Sequence, residues 1–184
     1  MKSKDNFATE GLSGTYKQVV FRQWNGETIL AKRPKQTKAR SAAQQTIVDN
    51  FTHAAAYAKA AMTDIALKMA YKLKAGKGLS AFNRAVVDFF KAPVIGDIDH
   101  SGYNGQAGGT LLAMVTDDFK VASVKVIIKA ASGAVIEQGD ASLLPNGLHW
   151  MYVSTVANSA IAGTAISFEA KDLPGNLVTK IKTL

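Results

Sequence analysis

Four residues between positions 96 and 109 have the spacing of a calcium-binding loop. In the stretch GDIDHSGYNGQAGG they occupy the first, third, fifth and sixth places of that pattern: Asp97, Asp99, Ser101 and Gly102. Such a loop also needs a bidentate acid at place twelve, where this chain has Gly108. The pattern therefore favours a turn-rich joint in which Asp97 and Asp99 lie at the start of the first strand and accept hydrogen bonds from nearby amides in Asx-turns, and it leaves a calcium site as the alternative.

No other set of reactive side chains has the spacing of a catalytic motif. The chain has no cysteine, which excludes disulfides, thiolate metal sites and a cysteine nucleophile. The three histidines, His53, His100 and His149, fall in different predicted elements. The sequence contains neither a nucleophile-elbow pattern nor a glycine-rich phosphate loop that opens a helix. We therefore expect no enzymatic activity and no cofactor.

The charge of the chain is unevenly distributed. The 184 residues carry a net charge of +8, with +10 over residues 1–93 and −2 over residues 94–184. The change of sign coincides with a change from helical to strand-like patterning. The sequence therefore predicts an α+β protein with two units: a basic unit made of a hairpin and helices over residues 1–93, and a β-rich domain over residues 94–184.

The segment YKQVVFRQWNGETILAKR predicts a β-hairpin. Two β-rich runs flank Asn25-Gly26, a dipeptide typical of the type I′ turn that joins hairpin strands. Apolar side chains fall on both faces, and an isolated hairpin is only marginally stable in water. We therefore expect the hairpin to pack against the following helices or a neighbouring subunit through five residues: Val19, Phe21, Trp24, Ile29 and Leu30.

Two helices are predicted after the hairpin. Ser41 and Gln44 form a capping box, which indicates a long helix from Ser41 to about Ala75, with a break possible near Thr63-Asp64. Ser80 caps a shorter helix that stops before Pro93. Apolar residues at three- and four-residue spacing predict one stripe along the long helix: Ile47, Phe51, Ala55, Ala58, Met62, Ile65, Met69 and Leu73.

The segment KRPKQTKAR, residues 32–40, is strongly basic and contains no acidic residue. Its cations are the candidates for contact with nucleic-acid phosphates: Lys32, Arg33, Lys35, Lys38 and Arg40. No aromatic residue is interleaved among them to stack on bases. The composition therefore favours a solvated connector and leaves nucleic-acid binding as the alternative.

The C-terminal half predicts an antiparallel β-sandwich. Short strands alternate with turn signals rich in Gly, Pro and Asn, and in VASVKVIIK the set Val124, Val126 and Ile128 has the pattern of a core face. Trp150 is expected between the two sheets, facing that strand. The candidate strands are TLLAMVT, VASVKVIIKA, AVIEQGDA, LHWMYVST, AISFEAKD and LVTKIKTL.

The segments TDDFKVASVKVIIKAASGAVIEQGDA, HWMYVST and AGTAISFEAKDLPGN resemble a bacterial immunoglobulin-like or fibronectin-III-like domain. The matching positions are Asp117, Asp118, Val121, Val124, Trp150, Tyr152, Asp172, Gly175 and Asn176. The resemblance implies an immunoglobulin-like sandwich after the hairpin, the long helix and the short helix. It also implies an alternative calcium site at one end of the sandwich, formed by Asp117, Asp118 and Asp172. The chain also has a hairpin with Trp-x-Gly, a basic Arg-Pro-Lys segment, a Gln-rich helix start and the segment AFNRA, and this layout resembles uncharacterised proteins of Bacteroidetes type.

These features predict a non-enzymatic structural subunit that self-associates through its N-terminal half into a homo-oligomeric or filamentous assembly. The sandwich would serve as an interaction or surface module. The alternative is an architectural nucleic-acid-binding protein that uses the basic half. The N-terminus lacks the apolar segment of a secretory signal, and no apolar run approaches the ~20 residues of a membrane span. We therefore expect synthesis in the cytoplasm, with incorporation into an exported or virion-like assembly left open, and no small-molecule substrate.

Overall fold

The computed structural model describes residues 2–3, 11–35 and 39–184, with the backbone alone for the first two. The chain divides into two compact units, residues 1–50 and 51–184. Both helices and antiparallel sheets are present, which confirms the α+β class. None of the helices in the described ranges is long and apolar enough to cross a membrane.

The first unit contains a small antiparallel sheet with the strand order β1-β4-β3-β2. Its central hairpin has the predicted register, since Phe21 pairs with Leu30 and Trp24 with Glu27. Asn25 has φ 49° and Gly26 φ 80°, the positive values that a type I′ turn requires. The strands are β1 (Lys2–Ser3), β2 (Gly14–Tyr16), β3 (Val19–Trp24) and β4 (Glu27–Lys32).

Three helices follow, and local caps define their ends. They are α1 (Ala42–Ala61), α2 (Ile65–Lys74) and α3 (Ala81–Phe89). The predicted capping box is present, because the Ser41 amide donates to Gln44 Oε1 at 3.0 Å and the Gln44 amide donates to Ser41 Oγ at 3.3 Å. The break between α1 and α2 lies at the predicted position, where Asp64 caps α2 by accepting from the Leu67 amide.

The predicted apolar stripe of the long helix is wrong in most of its members. Ala58 is buried, whereas the larger side chains of the stripe are exposed: Ile47, Phe51, Ile65, Met69 and Leu73. The buried positions are instead Ala54, Ala58 and Ala61 on α1 and Tyr71 on α2. The small alanines permit close approach of a neighbouring element, and Tyr71 is buried because its hydroxyl finds polar partners inside the helical cluster.

The β-rich part of the second unit contains two four-stranded antiparallel sheets, ordered β5-β6-β10-β9 and β12-β11-β7-β8. Strands of both sheets contribute to one buried core, so the two sheets pack together. The first sheet contains β5 (Val94–Gly102), β6 (Thr110–Thr116), β9 (Ser142–Leu143) and β10 (His149–Val153). The second contains β7 (Val121–Lys129), β8 (Val135–Asp140), β11 (Ala165–Asp172) and β12 (Leu177–Thr183).

The core of the two sheets follows the predicted alternation on β7, where Val124, Val126 and Ile128 are all buried. The largest apolar side chain that is fully buried among these strands is Phe168 on β11. Trp150 is only half-buried and packs at the edge of the core, where it lines an open cleft of about 460 Å³. Two residues further along β10, Tyr152 is buried.

Glu137 connects the two sheets. It lies on β8, is 7% exposed, and its Oε2 atom accepts from groups on and after β10. The donors are the Tyr152 hydroxyl at 3.1 Å, the Thr155 amide at 2.8 Å, the Thr155 hydroxyl at 2.9 Å and the Val156 amide at 3.3 Å. Burial, together with the bond to Glu137, raises the pKa of Tyr152 above its ordinary value.

The last strand, β12, forms one edge of the second sheet. Val178, Lys180 and Lys182 share one face of this strand, and Val178 packs against the core. Lys180 Nζ donates to Asp97 Oδ1 on β5 at 2.8 Å. The inward face of this edge strand is therefore basic towards its end.

Candidate functional site

The predicted interface residues of the hairpin lie on both faces of the small sheet. Val19, Phe21 and Leu30 share one face, and Trp24 and Ile29 share the other. Trp24 is 64% exposed, whereas the other four are half-buried. The structure therefore does not bring the five residues together into one surface, and Trp24 is the most accessible of them.

The face that carries Trp24 contains two shallow grooves. One is lined by Arg22, Trp24 and Ile29, among others, with a volume of about 320 Å³. The other, of about 330 Å³, runs over Val20 and Ala31 towards the end of β4. On the opposite face, Gln23 Nε2 donates to the Leu12 carbonyl at 2.7 Å, so a preceding segment lies over that side. The face with Trp24 is thus the more open one.

Four of the five predicted phosphate-contacting cations are exposed: Lys32, Arg33, Lys35 and Arg40. Lys38 lies outside the described residues. Lys32 and Arg33 line the second groove together with Arg22 of β3. Arg33 is held there by its amide, which donates to the Gln18 carbonyl at 2.7 Å. The groove is therefore basic along one wall.

The five acids named for calcium are separated by the fold. Asp97 and Asp99 are exposed on β5; Asp97 pairs with Lys180, and Asp99 accepts from the Ser101 amide at 2.9 Å in the expected Asx-turn. Asp172 is buried and accepts from the amides of Gly175 and Asn176 at 2.8 and 2.6 Å. Only Asp117 and Asp118 come close together, in the loop between β6 and β7.

A third aspartate joins that pair. One carboxylate oxygen of each of Asp88, Asp117 and Asp118 lies within 4.8 Å of the others, and we call these three residues the acidic junction. Asp88 projects from the last turn of α3 and is 0% exposed. The carboxylates of the acidic junction therefore lie where the α3 helix contacts the β6–β7 loop.

The position of Asp88 is defined by two tyrosines. The Tyr71 hydroxyl donates to Asp88 Oδ2 at 2.6 Å, and the Tyr57 hydroxyl lies 2.8 Å from that of Tyr71. Tyr71 also stacks on Phe119 of the β6–β7 loop, with ring centroids 3.9 Å apart. Burial raises the pKa of Asp88 to about 7, although the Tyr71 bond lowers it, and the carboxylates of Asp117, Asp118 and Asp172 raise it further.

Two cations contact one edge of the acidic junction. Arg84 Nη1 and Lys91 Nζ lie 3.0 and 3.2 Å from Asp118 Oδ2, and Arg84 also donates to the Asp118 carbonyl. Asp117 Oδ2 accepts from the amides of Phe119 and Lys120 at 3.0 and 2.8 Å. The second oxygen of each of the three aspartates, Oδ1, is buried without a hydrogen-bond partner among the residues that the structure describes.

Sequence reasoning missed Asp88, yet a signal for it exists. Ala81, Ala85 and Asp88 recur at helical spacing, so a carboxylate lies on the inward face of an amphipathic helix. Carboxylates are rarely buried unless they are paired or bind a cation. An acid on that face therefore indicates a polar partner elsewhere in the chain, but the pattern does not say which one.

Comparisons with known proteins add little to this geometry. No protein-family model matches the chain, and no curated protein is similar to it. A solved crystal structure of an engineered protein matches 50% of this chain at 21% identity with a TM-score of 0.37. The match spans only 19% of that engineered protein's own length.

Proposed function

We propose that the protein is a non-enzymatic structural subunit that self-associates through its N-terminal unit, with the C-terminal sandwich as an interaction or surface module. The observation that supports this proposal is the lack of a buried apolar core among the described residues of the first unit. Across residues 11–35 and 39–50, no apolar side chain is buried, and Thr28 is the only buried residue. A sheet of this size needs apolar burial to be stable, and a second copy of the chain would supply it.

The exposed side chains of this unit are large and aromatic or aliphatic. Tyr16 and Trp24 are each 64% exposed, and Ile47 on α1 is 68% exposed. Trp and Tyr are enriched among the residues that dominate interface energies. The open face around Trp24 is therefore the part of the unit that we expect to contact a second copy.

The strand order supports an immunoglobulin-like assignment for the C-terminal module. With β5 to β12 taken as strands A, B, C, C′, D, E, F and G, the two sheets are A-B-E-D and G-F-C-C′. Immunoglobulin-like domains share this arrangement. The chain departs from antibody domains in having no cysteine and in carrying its tryptophan on β10 instead of β7. Such modules commonly present surfaces to partners, in keeping with a structural subunit.

Trp24→Ser tests the self-association. We expect the wild-type chain to be oligomeric at tens of micromolar and the variant to associate at least tenfold more weakly, because a buried interface tryptophan contributes about 2 kcal/mol or more. Analytical ultracentrifugation over a concentration series measures the association constant directly.

The matched control is Leu177→Ser, since Leu177 is 61% exposed but lies on β12 in the second unit. This variant should associate as the wild type does. A wild-type chain that is monomeric at tens of micromolar would refute the proposal. Equal weakening by both substitutions would instead refute the assignment of the interface to the first unit.

The second candidate is nucleic-acid binding, which the basic groove beside β4 favours. Arg22, Lys32 and Arg33 line one concave surface, and Lys35 and Arg40 are exposed further along the chain. Such a surface would bind phosphates of a nucleic acid without recognising its base sequence. Affinity would then fall steeply as salt rises.

Reversing two charges in this groove tests the candidate. Lys32→Glu with Arg33→Glu should weaken binding to a DNA duplex at least tenfold in low salt and reduce the slope of log affinity against log salt by about 2. Lys171→Glu with Lys182→Glu is the control, because it changes the net charge equally at exposed positions of the second unit. The readout is fluorescence anisotropy at several salt concentrations. Equal losses in both double variants, or no binding by the wild type, would reject this candidate.

A further inference from the structure

We propose that the acidic junction, Asp88, Asp117 and Asp118, is a binding site for one divalent cation of the calcium class. The site lies where the last turn of α3 meets the β6–β7 loop, within the second unit. It is independent of the self-association proposed for the first unit. Three arguments support it: the spacing of the carboxylates, their unpartnered oxygens and the local balance of charge.

The spacing suits a shared ion. Calcium binds oxygen ligands at roughly 2.3–2.6 Å, so two oxygens on the same ion are at most about 5 Å apart. The three aspartates each offer one oxygen within 4.8 Å of the other two. Carboxylates are the ligands that hard cations of this class prefer.

The second argument concerns Asp88 alone. Its side chain is 0% exposed, and no described residue donates to its Oδ1 atom, although Tyr71 donates to Oδ2. Burying a carboxylate oxygen without a hydrogen-bond donor destabilises the folded state, because the oxygen loses its hydration and no donor replaces the lost hydrogen bonds. The same holds for Oδ1 of Asp117 and of Asp118. A cation at the acidic junction would give these buried carboxylates a partner that the donors of the described residues do not provide.

The charges close to the site also require compensation. When all three are ionised, the aspartates of the acidic junction carry three negative charges, and Arg84 and Lys91 are the two cations paired with them among the described residues. The junction then keeps a net negative charge, which favours the binding of a cation. Asp118 remains 22% exposed, so the site lies beside solvent that would supply the remaining ligands of a bound ion.

The test uses the full-length chain after treatment with a chelator. Adding calcium chloride at about a hundredfold excess over the dissociation constant should raise the melting temperature by roughly 5–10 °C. Magnesium chloride is added in a parallel series. Terbium, with tyrosine-sensitised emission as readout, reports occupancy separately from stability, because Tyr71 contacts Asp88 and Tyr57 contacts Tyr71.

Asp88→Asn and Asp117→Asn are the informative variants. Each asparagine keeps the shape of the side chain but removes a charged ligand, so each should need at least tenfold more calcium for the same shift. Asp88→Asn should melt no lower than the wild type in chelator, because the substitution removes a buried charge. Asp99→Asn is the matched control, since Asp99 is exposed and an asparagine preserves its Asx-turn.

Loss of the calcium response in the two variants, with the control unchanged, would support the site. A wild-type chain whose melting temperature does not respond to calcium would overturn it, as would variants that respond at the wild-type concentration. A response to magnesium without one to calcium would overturn the assigned class of ion.

Discussion

Replacing Phe168 with alanine is expected to lower the free energy of unfolding by roughly 3–5 kcal/mol. Phe168 is 0% exposed at the centre of β11, where its neighbours in register are Val126 on β7 and Lys180 on β12. Its ring belongs to the core that both sheets share, so its removal leaves a cavity between them. Denaturant unfolding, followed by circular dichroism, measures the loss.

Two further substitutions calibrate this result. Trp150→Ala should cost less, about 1–3 kcal/mol, because the indole is half-buried and borders the cleft of about 460 Å³. Ile181→Ala should change stability by no more than about 0.5 kcal/mol, since Ile181 is 62% exposed. If Trp150→Ala proves more costly than Phe168→Ala, the centre of the core lies closer to β10 than the structure places it.

Glu137→Ala is expected to destabilise the chain by about 3 kcal/mol. The substitution leaves four donors without their acceptor, including the buried Tyr152 hydroxyl and the amides of Thr155 and Val156. Bonds to a charged acceptor are stronger than neutral ones, and here they connect β8 to the end of β10 across the two sheets. Thermal and denaturant unfolding would both report the change.

Glu137→Gln separates the role of charge from the role of shape. The amide oxygen can still accept from part of the donor set, so we expect a cost of about half that of Glu137→Ala. Gln138→Ala is the control, because Gln138 is the exposed neighbour on the same strand. Equal costs for Glu137→Ala and Gln138→Ala would show that the buried carboxylate does not connect the sheets.

The features that could be predicted from sequence are those determined by neighbouring residues. Asn25-Gly26 sets the hairpin register, Ser41 and Ser80 start helices through their own hydroxyls, and alternation places β6 and β11 where the structure has them. Each of these features depends on contacts within a few residues of the chain. The local preferences of hairpin turns, helix caps and alternating strands are therefore sufficient to locate these features.

The features that were missed depend on partners far away in sequence. The Asp, Gly, His and Ser residues of β5 predict a turn-rich joint that leads into a strand, whereas pairing with β6 makes the whole of Val94–Gly102 a strand with two irregularities in register. The buried face of α1 depends on what packs against it, so the stripe of larger side chains was misleading. Asp88 meets Asp117 and Asp118 only after folding. No local sequence pattern specifies these long-range contacts.

The basic inward face of β12 has a consequence for how copies of this chain behave when crowded. A strand from another molecule that paired with this edge would reduce the hydration of the exposed Lys182 and of Lys180, which is paired with Asp97. Neighbouring copies of this β-rich domain should therefore not pair along β12 at high concentration, and we expect this edge to resist conversion into amyloid.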